Sequence, residues 1–151
     1  MTERNLQSVG AVALLLITLC GCGGTYDSTV SGKVTLDGAT VPCGTVTFYP
    51  SGGGPAAYAR ILEDGSYSVH TGREEGLPTG EYGISVSANE QSAVKQTASG
   101  GPPPPGKPIT PAWYRSKDTS GLKFNVESGS NEINLDLKSQ PPAGWNPGRQ
   151  R

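Results

Sequence analysis

The residues best suited to catalysis or metal binding in this sequence are its single histidine and the glutamates that follow it. His70 precedes Glu74 and Glu75, so one imidazole and two carboxylates could form a partial metal site. One histidine beside loop carboxylates is also common on ordinary protein surfaces, and no G-x-S-x-G motif supports a Ser-His-Asp triad. We therefore expect no catalytic, metal or cofactor site, and a small hydrolase or metal-dependent enzyme using His70 is the alternative.

The cysteines suggest a different chemistry, because two of the three lie one residue apart behind an apolar segment. A metal site of the C-x-C type lacks partners, since the chain has only one further cysteine and one histidine. Residues 10–19 are uncharged and apolar but too short to span a bilayer, which requires about 20 such residues. Their length is typical of a secretory signal peptide, with Arg4 before them; a buried N-terminal strand or helix is the other interpretation.

The stretch Leu19-Cys20-Gly21-Cys22 resembles the bacterial lipobox, in which the last cysteine carries a diacylglycerol and becomes the new N-terminus after cleavage. The resemblance implies a signal peptide at residues 1–21, a lipidated Cys22 and a short linker at residues 22–28. The rival frame ending at Cys20 puts a bulky leucine at the cleavage point and fits less well. Two or more acyl chains hold a protein stably on a membrane, so we expect a lipid anchor in a bacterial cell envelope.

Two further residues bear on location and redox state. Gly23 stands where some lipoproteins have the aspartate that retains them at the inner membrane, so the resemblance favours the outer membrane. Cys43 would be a lone thiol in an oxidising compartment. No histidine or basic residue lies near it in sequence, so we interpret Cys43 as a small buried residue at the start of a strand.

The rest of the chain has the composition and periodicity of an all-β protein. Its 22 glycines and 13 prolines suit short strands and turns better than helices. Apolar residues alternate with polar ones, so each strand would have one apolar face, as in antiparallel sheets packed face to face. Seven segments show this pattern: STVSGKVTL, GTVTFYP, AAYARILE, GSYSVHT, EYGISVSA, GLKFNVE and EINLDLK. We predict one domain at residues 29–138, a seven-stranded antiparallel β-sandwich.

Several motifs follow one another in a fixed order within this domain. They are a G-x-V segment with an Asp-Gly turn, a D-G-x-Y hairpin and an L-P-x-G-x-Y segment, present as SGKVTLDG, EDGSYSV and GLPTGEYGISV. Their order and spacing resemble the carboxypeptidase regulatory-like, or transthyretin (prealbumin)-like, module. The later TPAWYRSKDTSGLKFNVESGSNEINLDL resembles the ending of small secreted proteins of planctomycete-type bacteria. The resemblance implies a prealbumin-like or immunoglobulin-like sandwich from a mostly non-catalytic family.

Residues 89–120, which we call the long loop, separate the fifth and sixth predicted strands and are long for a connection in a compact domain. Pro102–Pro105 would stiffen the loop, and Trp113, Tyr114 and Arg115 follow. We predict either a binding loop that presents these last three residues, or a crossover whose aromatic side chains cap the edge of the sandwich.

The end of the chain and its net charge complete the prediction. Residues 139–151 lack alternation and are rich in Pro and Gly, so we expect a disordered tail. The net charge of −1 argues against nucleic acid as a partner. The sequence thus predicts a membrane-anchored, non-enzymatic envelope lipoprotein that binds or scaffolds protein or glycan. A purely structural envelope component without a discrete ligand is a further alternative.

Overall fold

The computed structural model describes residues 25–92 and 100–145 of the chain. Within these residues the fold is all-β, as predicted, and the single helical element is a short 3₁₀ helix, Ala112–Arg115. The strands are β1 (Ser28–Leu36), β2 (Ala39–Thr40), β3 (Gly44–Pro50), β4 (Ala57–Ile61), β5 (Ser66–Ser68), β6 (His70–Thr71), β7 (Glu74–Glu75), β8 (Gly80–Ser87), β9 (Leu122–Val126), β10 (Gly129–Glu132) and β11 (Leu135–Leu137).

The strands form two sheets that pack as a sandwich. The larger sheet has the order β7-β6-β4-β3-β8-β9, and its neighbouring strands are antiparallel. The smaller sheet is built around β1, which pairs antiparallel with β2 and β5 but parallel with β10 and β11. The prediction of a wholly antiparallel sandwich is therefore wrong for the last two strands. Alternation reports which face of a strand is buried, and it does not distinguish parallel from antiparallel neighbours.

Apolar side chains fill the space between the sheets, and they occupy the alternate positions predicted from the sequence. In β3, Val46 and Phe48 are fully buried, and in β8, Tyr82, Ile84 and Val86 are buried in the same way. Each fully buried side chain of this size stabilises the fold by about 1.5–3 kcal/mol. The other buried apolar residues of the strands are Val30, Val34, Ala57, Ala59, Ile61, Tyr67, Val126, Leu135 and Leu137.

A close backbone contact at Gly32 lets β1 change partners in mid-strand. The first half of β1 pairs with β10 and the second half with β11, and Ile133 lies between those two strands. The Ile133 carbonyl accepts a hydrogen bond of 2.6 Å from the Tyr67 hydroxyl. A Cβ atom at position 32 would lie 1.9 Å from that carbonyl oxygen, so only glycine fits there.

The Asp-Gly turn predicted after β1 is confirmed. Leu36 pairs with Ala39 across a two-residue loop. Asp37 and Gly38 both have positive φ, 50° and 84°, which is the conformation that such tight hairpins require.

Candidate functional site

The long loop is clamped to the sandwich where it leaves and where it returns. The Glu90 N–H donates to the Lys107 carbonyl at 2.7 Å, and the Ile109 N–H donates to the Ala88 carbonyl at 2.9 Å. Between these contacts Pro102–Pro105 are exposed. Residues 93–99 of the loop lie outside the described residues.

Trp113 and Tyr114 lie on the 3₁₀ helix and are buried, each with only 7% of its surface exposed. The Tyr114 hydroxyl accepts a hydrogen bond of 2.9 Å from the Lys138 N–H, just after β11. β9 pairs with β8 only as far as Ile84, so the last residues of β8 have no strand on that side. The aromatic pair packs there and caps the edge of the sandwich, so an exposed aromatic platform on the long loop is not what the structure contains.

Arg115 is the one member of this predicted binding set that stays exposed. Its guanidinium donates a hydrogen bond of 3.2 Å to the side-chain oxygen of Asn89. Arg115 therefore links the two ends of the long loop, and it has no exposed aromatic neighbour in the set with which to form a binding surface.

The start of the C-terminal tail contacts the domain at Ser139 and at Trp145. The indole of Trp145 contacts that of Trp113 edge to face, with ring centroids 4.9 Å apart. The Ser139 N–H donates to the Asp37 carboxylate at 3.2 Å, and hydrogen bonding from Ser139 lowers the pKa of Asp37. Alternation could not reveal either of these contacts, and the expectation of a disordered tail stays a prediction. Residues 146–151 lie outside the described part of the chain.

His70 is exposed on β6, opposite Tyr58 of β4 and Glu75 of β7. Its Nδ1 lies 3.2 Å from the Ser68 carbonyl, and the Glu75 carboxylate accepts a hydrogen bond of 3.3 Å from the Ser68 hydroxyl. Among residues 25–92 and 100–145, no three His, Cys, Asp or Glu side chains are grouped closely enough to hold a metal ion. His70 thus faces open solvent, as the alternation of its strand predicts.

The cysteines divide between the described and the undescribed parts of the chain. Cys43 is a free thiol just before β3; it is half-buried rather than buried, and it donates to the Asn89 carbonyl at 3.2 Å. The predicted signal peptide at residues 1–21 and lipidated Cys22 lie outside the described residues. No helix in the described ranges has the length and hydrophobicity of a membrane span.

The outward side of the larger sheet, which we call the outer face, carries the outward-pointing polar and aromatic side chains of β3, β4, β8 and β9. Within residues 25–92 and 100–145, Tyr58 and Leu62 are the large apolar side chains that stand out into solvent, at 54% and 53% exposure. Tyr58 lies opposite Thr47, which lies opposite Ser85, but these two side chains are only 8% and 5% exposed, so the row beside the tyrosine ring is largely covered. The outer face consists of Thr45, Thr47, Tyr49, Tyr58, Arg60, Glu81, Gly83, Ser85, Ser87, Lys123 and Asn125.

The next row of the outer face runs from Tyr49 through Gly83 to Lys123 and forms the floor of a small cleft. A Cβ atom at Gly83 would lie 3.4 Å from the Cβ of Lys117, so the glycine leaves the space in which the lysine side chain rests. We call this the lysine cleft; it encloses about 260 Å³ and is lined by Tyr49, Pro50, Ser51, Gly83, Lys117, Asp118 and Lys123.

The charges of the lysine cleft are only partly paired. The Lys117 ammonium lies 2.6 Å from the Asp118 carboxylate, with both side chains substantially exposed. In the part of the chain that the structure describes this is the only ion pair, so the Lys123 ammonium has no carboxylate within 4.0 Å. With two ammonium groups and one carboxylate, the cleft carries a net positive charge and can accept an anionic group.

Comparisons with known proteins identify no relative of this chain. No protein-family model matches it, and neither the curated proteins nor the solved structures include a significant match. The likeness to the carboxypeptidase regulatory-like module and to the lipobox therefore stays a prediction from the sequence.

Sequence reasoning overlooked the outer face, although the signal for it was present. In AYARIL the buried residues Ala57, Ala59 and Ile61 alternate with Tyr58 and Arg60, so strand parity alone places that tyrosine in solvent. Alternation does not show that Lys117 and Lys123 lie on the same surface as Tyr58. Their proximity depends on strand order and on the path of the long loop, and neither follows from alternation.

Proposed function

We propose that this protein is a lipid-anchored protein of the bacterial envelope whose β-sandwich is a non-enzymatic module for binding or scaffolding protein or glycan. The observation that carries the proposal is the outer face, where an exposed tyrosine ring and a cationic cleft lie on the same side of the larger sheet. The interior, by contrast, is filled with apolar side chains. An exposed aromatic ring on a rigid sheet binds a ligand at low entropic cost, because little is ordered on binding.

The anchor part of the proposal is supported by the lipobox-like sequence and by the short distance to the domain. β1 begins at Ser28, so the linker from Cys22 spans at most about 25 Å. The sandwich would therefore lie close to the membrane surface. Gly23 after the lipidated cysteine favours the outer membrane over the inner membrane.

The enzymatic alternative receives less support from the geometry around His70. A hydrolase or metal enzyme would require polar groups that converge on one enclosed point. His70 instead faces solvent beside a strand partner, and Glu75 accepts a hydrogen bond from Ser68. A binding module accounts better for these exposed, separated groups.

Intact-mass analysis of membrane-extracted protein tests the anchor. The wild-type protein should lack residues 1–21 and carry a diacylglycerol and an acyl chain, whereas a Cys22→Ser variant should carry neither. A Cys20→Ser variant is the matched control and should be lipidated normally. An uncleaved, unlipidated wild-type protein contradicts the anchor.

Co-sedimentation with isolated envelope material tests the binding surface. We expect Tyr58→Ala to lose most of the binding and Leu62→Ala to keep it. Leu62 is a close control, since it is equally exposed and points the same way from the end of β4 but lies farther from the lysine cleft. Equal recovery of both variants would contradict the proposed surface.

A further inference from the structure

We propose that the lysine cleft binds the anionic group of an acidic glycan, a further sugar unit of which stacks on the exposed ring of Tyr58. This inference rests on the proposed binding function of the outer face and assigns it a ligand class. The anionic group is a carboxylate, phosphate or sulfate carried by a sugar, because all three present oxygen acceptors to ammonium donors.

The cleft provides a cation that is both available and positioned. Lys123 projects from a paired strand position opposite Gly83, so its backbone is fixed by the sheet. Its ammonium has no carboxylate partner in the described chain, so binding an anion there breaks no existing ion pair. Lys117 rests against the space left by Gly83 and adds a second ammonium. Asp118 beside it can accept a hydrogen bond from a sugar hydroxyl.

The spacing fits an oligosaccharide rather than a single sugar. Tyr58 on β4 and Lys123 on β9 are separated by three strand spacings, roughly 14 Å across the sheet. Between them the row of Tyr58 continues with Thr47 and Ser85, which are small and buried, so neither raises a bulky side chain between the tyrosine ring and the cleft. The cleft itself, at about 260 Å³, is smaller than the usual pocket for a drug-sized ligand and suits one sugar unit.

The same features favour a glycan over a protein or a nucleic acid. A stable protein interface has an apolar centre, whereas Tyr58 and Leu62 are the only large apolar side chains exposed in residues 25–92 and 100–145. A pyranose ring needs one aromatic surface for its C–H groups, surrounded by hydrogen-bonding partners. A nucleic acid requires a broad basic surface, and this chain has a net charge of −1.

Binding of the purified full-length protein to defined polymers tests the inference. The probes are polygalacturonate, the same polymer with its carboxylates reduced to alcohols, dextran sulfate, and a phosphorylated dextran. We expect at least one of the anionic polymers to bind, and the carboxyl-reduced polymer to bind less well than polygalacturonate if the carboxylate is the preferred group. A double substitution Lys117→Gln/Lys123→Gln should weaken that binding about tenfold.

Two controls separate the cleft from general charge effects. Lys33→Gln/Lys107→Gln makes the same change in net charge away from the cleft and should alter binding less than about twofold. Gly83→Val fills the cleft without removing a charge and should also weaken binding. Unchanged urea midpoints show that the variants are folded.

The outcomes distinguish this inference from the proposed function beneath it. If envelope material still binds through Tyr58 but the anionic polymers do not bind, or bind without the two lysines, the ligand class is wrong and the binding function stands. Lysine-dependent binding to phosphatidylglycerol vesicles in place of the polymers, or Tyr58-dependent capture of a protein, also overturns the glycan inference. If neither envelope material nor any polymer binds, both proposals are overturned.

Discussion

The aromatic residues of the long loop and the tyrosine of β4 differ in how well their sequence setting predicts their exposure. Trp113 and Tyr114 lie next to a proline run in a long connection, a setting typical of binding loops, yet both are buried. Tyr58 lies in an ordinary alternating strand, and more than half of its surface faces solvent, as its position between inward-facing alanines predicts. An aromatic side chain is buried or exposed according to what lies beside it in the fold, not according to the segment that carries it.

The burial of the loop aromatics and the exposure of Tyr58 each have a structural cause. β9 ends its pairing at Ile84, so the end of β8 leaves apolar surface at the sandwich edge that the loop aromatics cover. Tyr58 has Ala57 and Ala59 as inward-facing neighbours, so parity fixes it on the other side of the sheet. The loop aromatics therefore stabilise the edge of the sandwich, and the outer face remains available for binding.

The largest expected effect that tests this contrast is on folding stability. Trp113→Ala should lower the free energy of unfolding by about 3–5 kcal/mol, because it removes a buried indole and leaves a cavity. Tyr58→Ala should change it by no more than about 0.5 kcal/mol, because the ring is largely solvated. Urea denaturation followed by circular dichroism measures both.

A conservative variant keeps the test informative if the alanine variant does not fold. Trp113→Phe keeps most of the apolar volume and should retain a cooperative transition with a lower midpoint. If Trp113→Ala were no more destabilising than Tyr58→Ala, the loop aromatics would not cap the sandwich, and their assignment as a binding surface would regain support.

Much of the fold could be predicted because one face of each strand is buried. Period-two alternation correctly placed Val46 and Phe48 inward in β3, and the Asp37-Gly38 pair correctly marked a hairpin turn. These features depend on residues that are close in sequence. They can therefore be predicted without knowing which strands pair.

The remainder depends on contacts between distant residues that no local pattern encodes. The parallel pairing of β1 with β10 and β11, the packing of Trp145 on Trp113, and the lysine cleft all join segments far apart in the chain. The sequence left open whether Trp113 and Tyr114 present a binding surface or cap the sandwich edge, because the unpaired end of β8 that they cover is invisible in the sequence; their burial favours the cap.

An intermediate effect is expected at Tyr67, an aromatic residue buried between the sheets. Its hydroxyl donates to the Ile133 carbonyl, and burial raises the pKa of Tyr67 above its ordinary value of 10.0. Above pH 10.0 the unfolded chain loses this proton while the folded chain keeps it, so stability present below that pH is lost as the pH rises. The loss should approach about 1.4 kcal/mol per pH unit for this group.

The Tyr67→Phe variant isolates that contribution. At neutral pH it should be less stable by about 1 kcal/mol, because the Ile133 carbonyl loses its donor. Above pH 10.0 its stability should fall less steeply than that of the wild-type protein, as measured by urea midpoints across the pH range. Parallel declines in the two proteins would show that Tyr67 does not resist ionisation in the fold.

Among the aromatic residues that pack against the core, the smallest effect on stability is expected from Trp145→Ala. Its edge-to-face contact with Trp113 contributes about 0.5–1.5 kcal/mol. Both indole N–H groups are nevertheless buried without an acceptor in the described chain, which costs about 1–3 kcal/mol per group and offsets that gain. The net loss of stability should therefore be below about 1 kcal/mol.

Because the chain has only two tryptophans, the far-ultraviolet couplet of the indole pair reports the contact directly and should vanish in this variant. A couplet that persists would place Trp145 away from Trp113, whereas a loss as large as that of Trp113→Ala would make the tail part of the core.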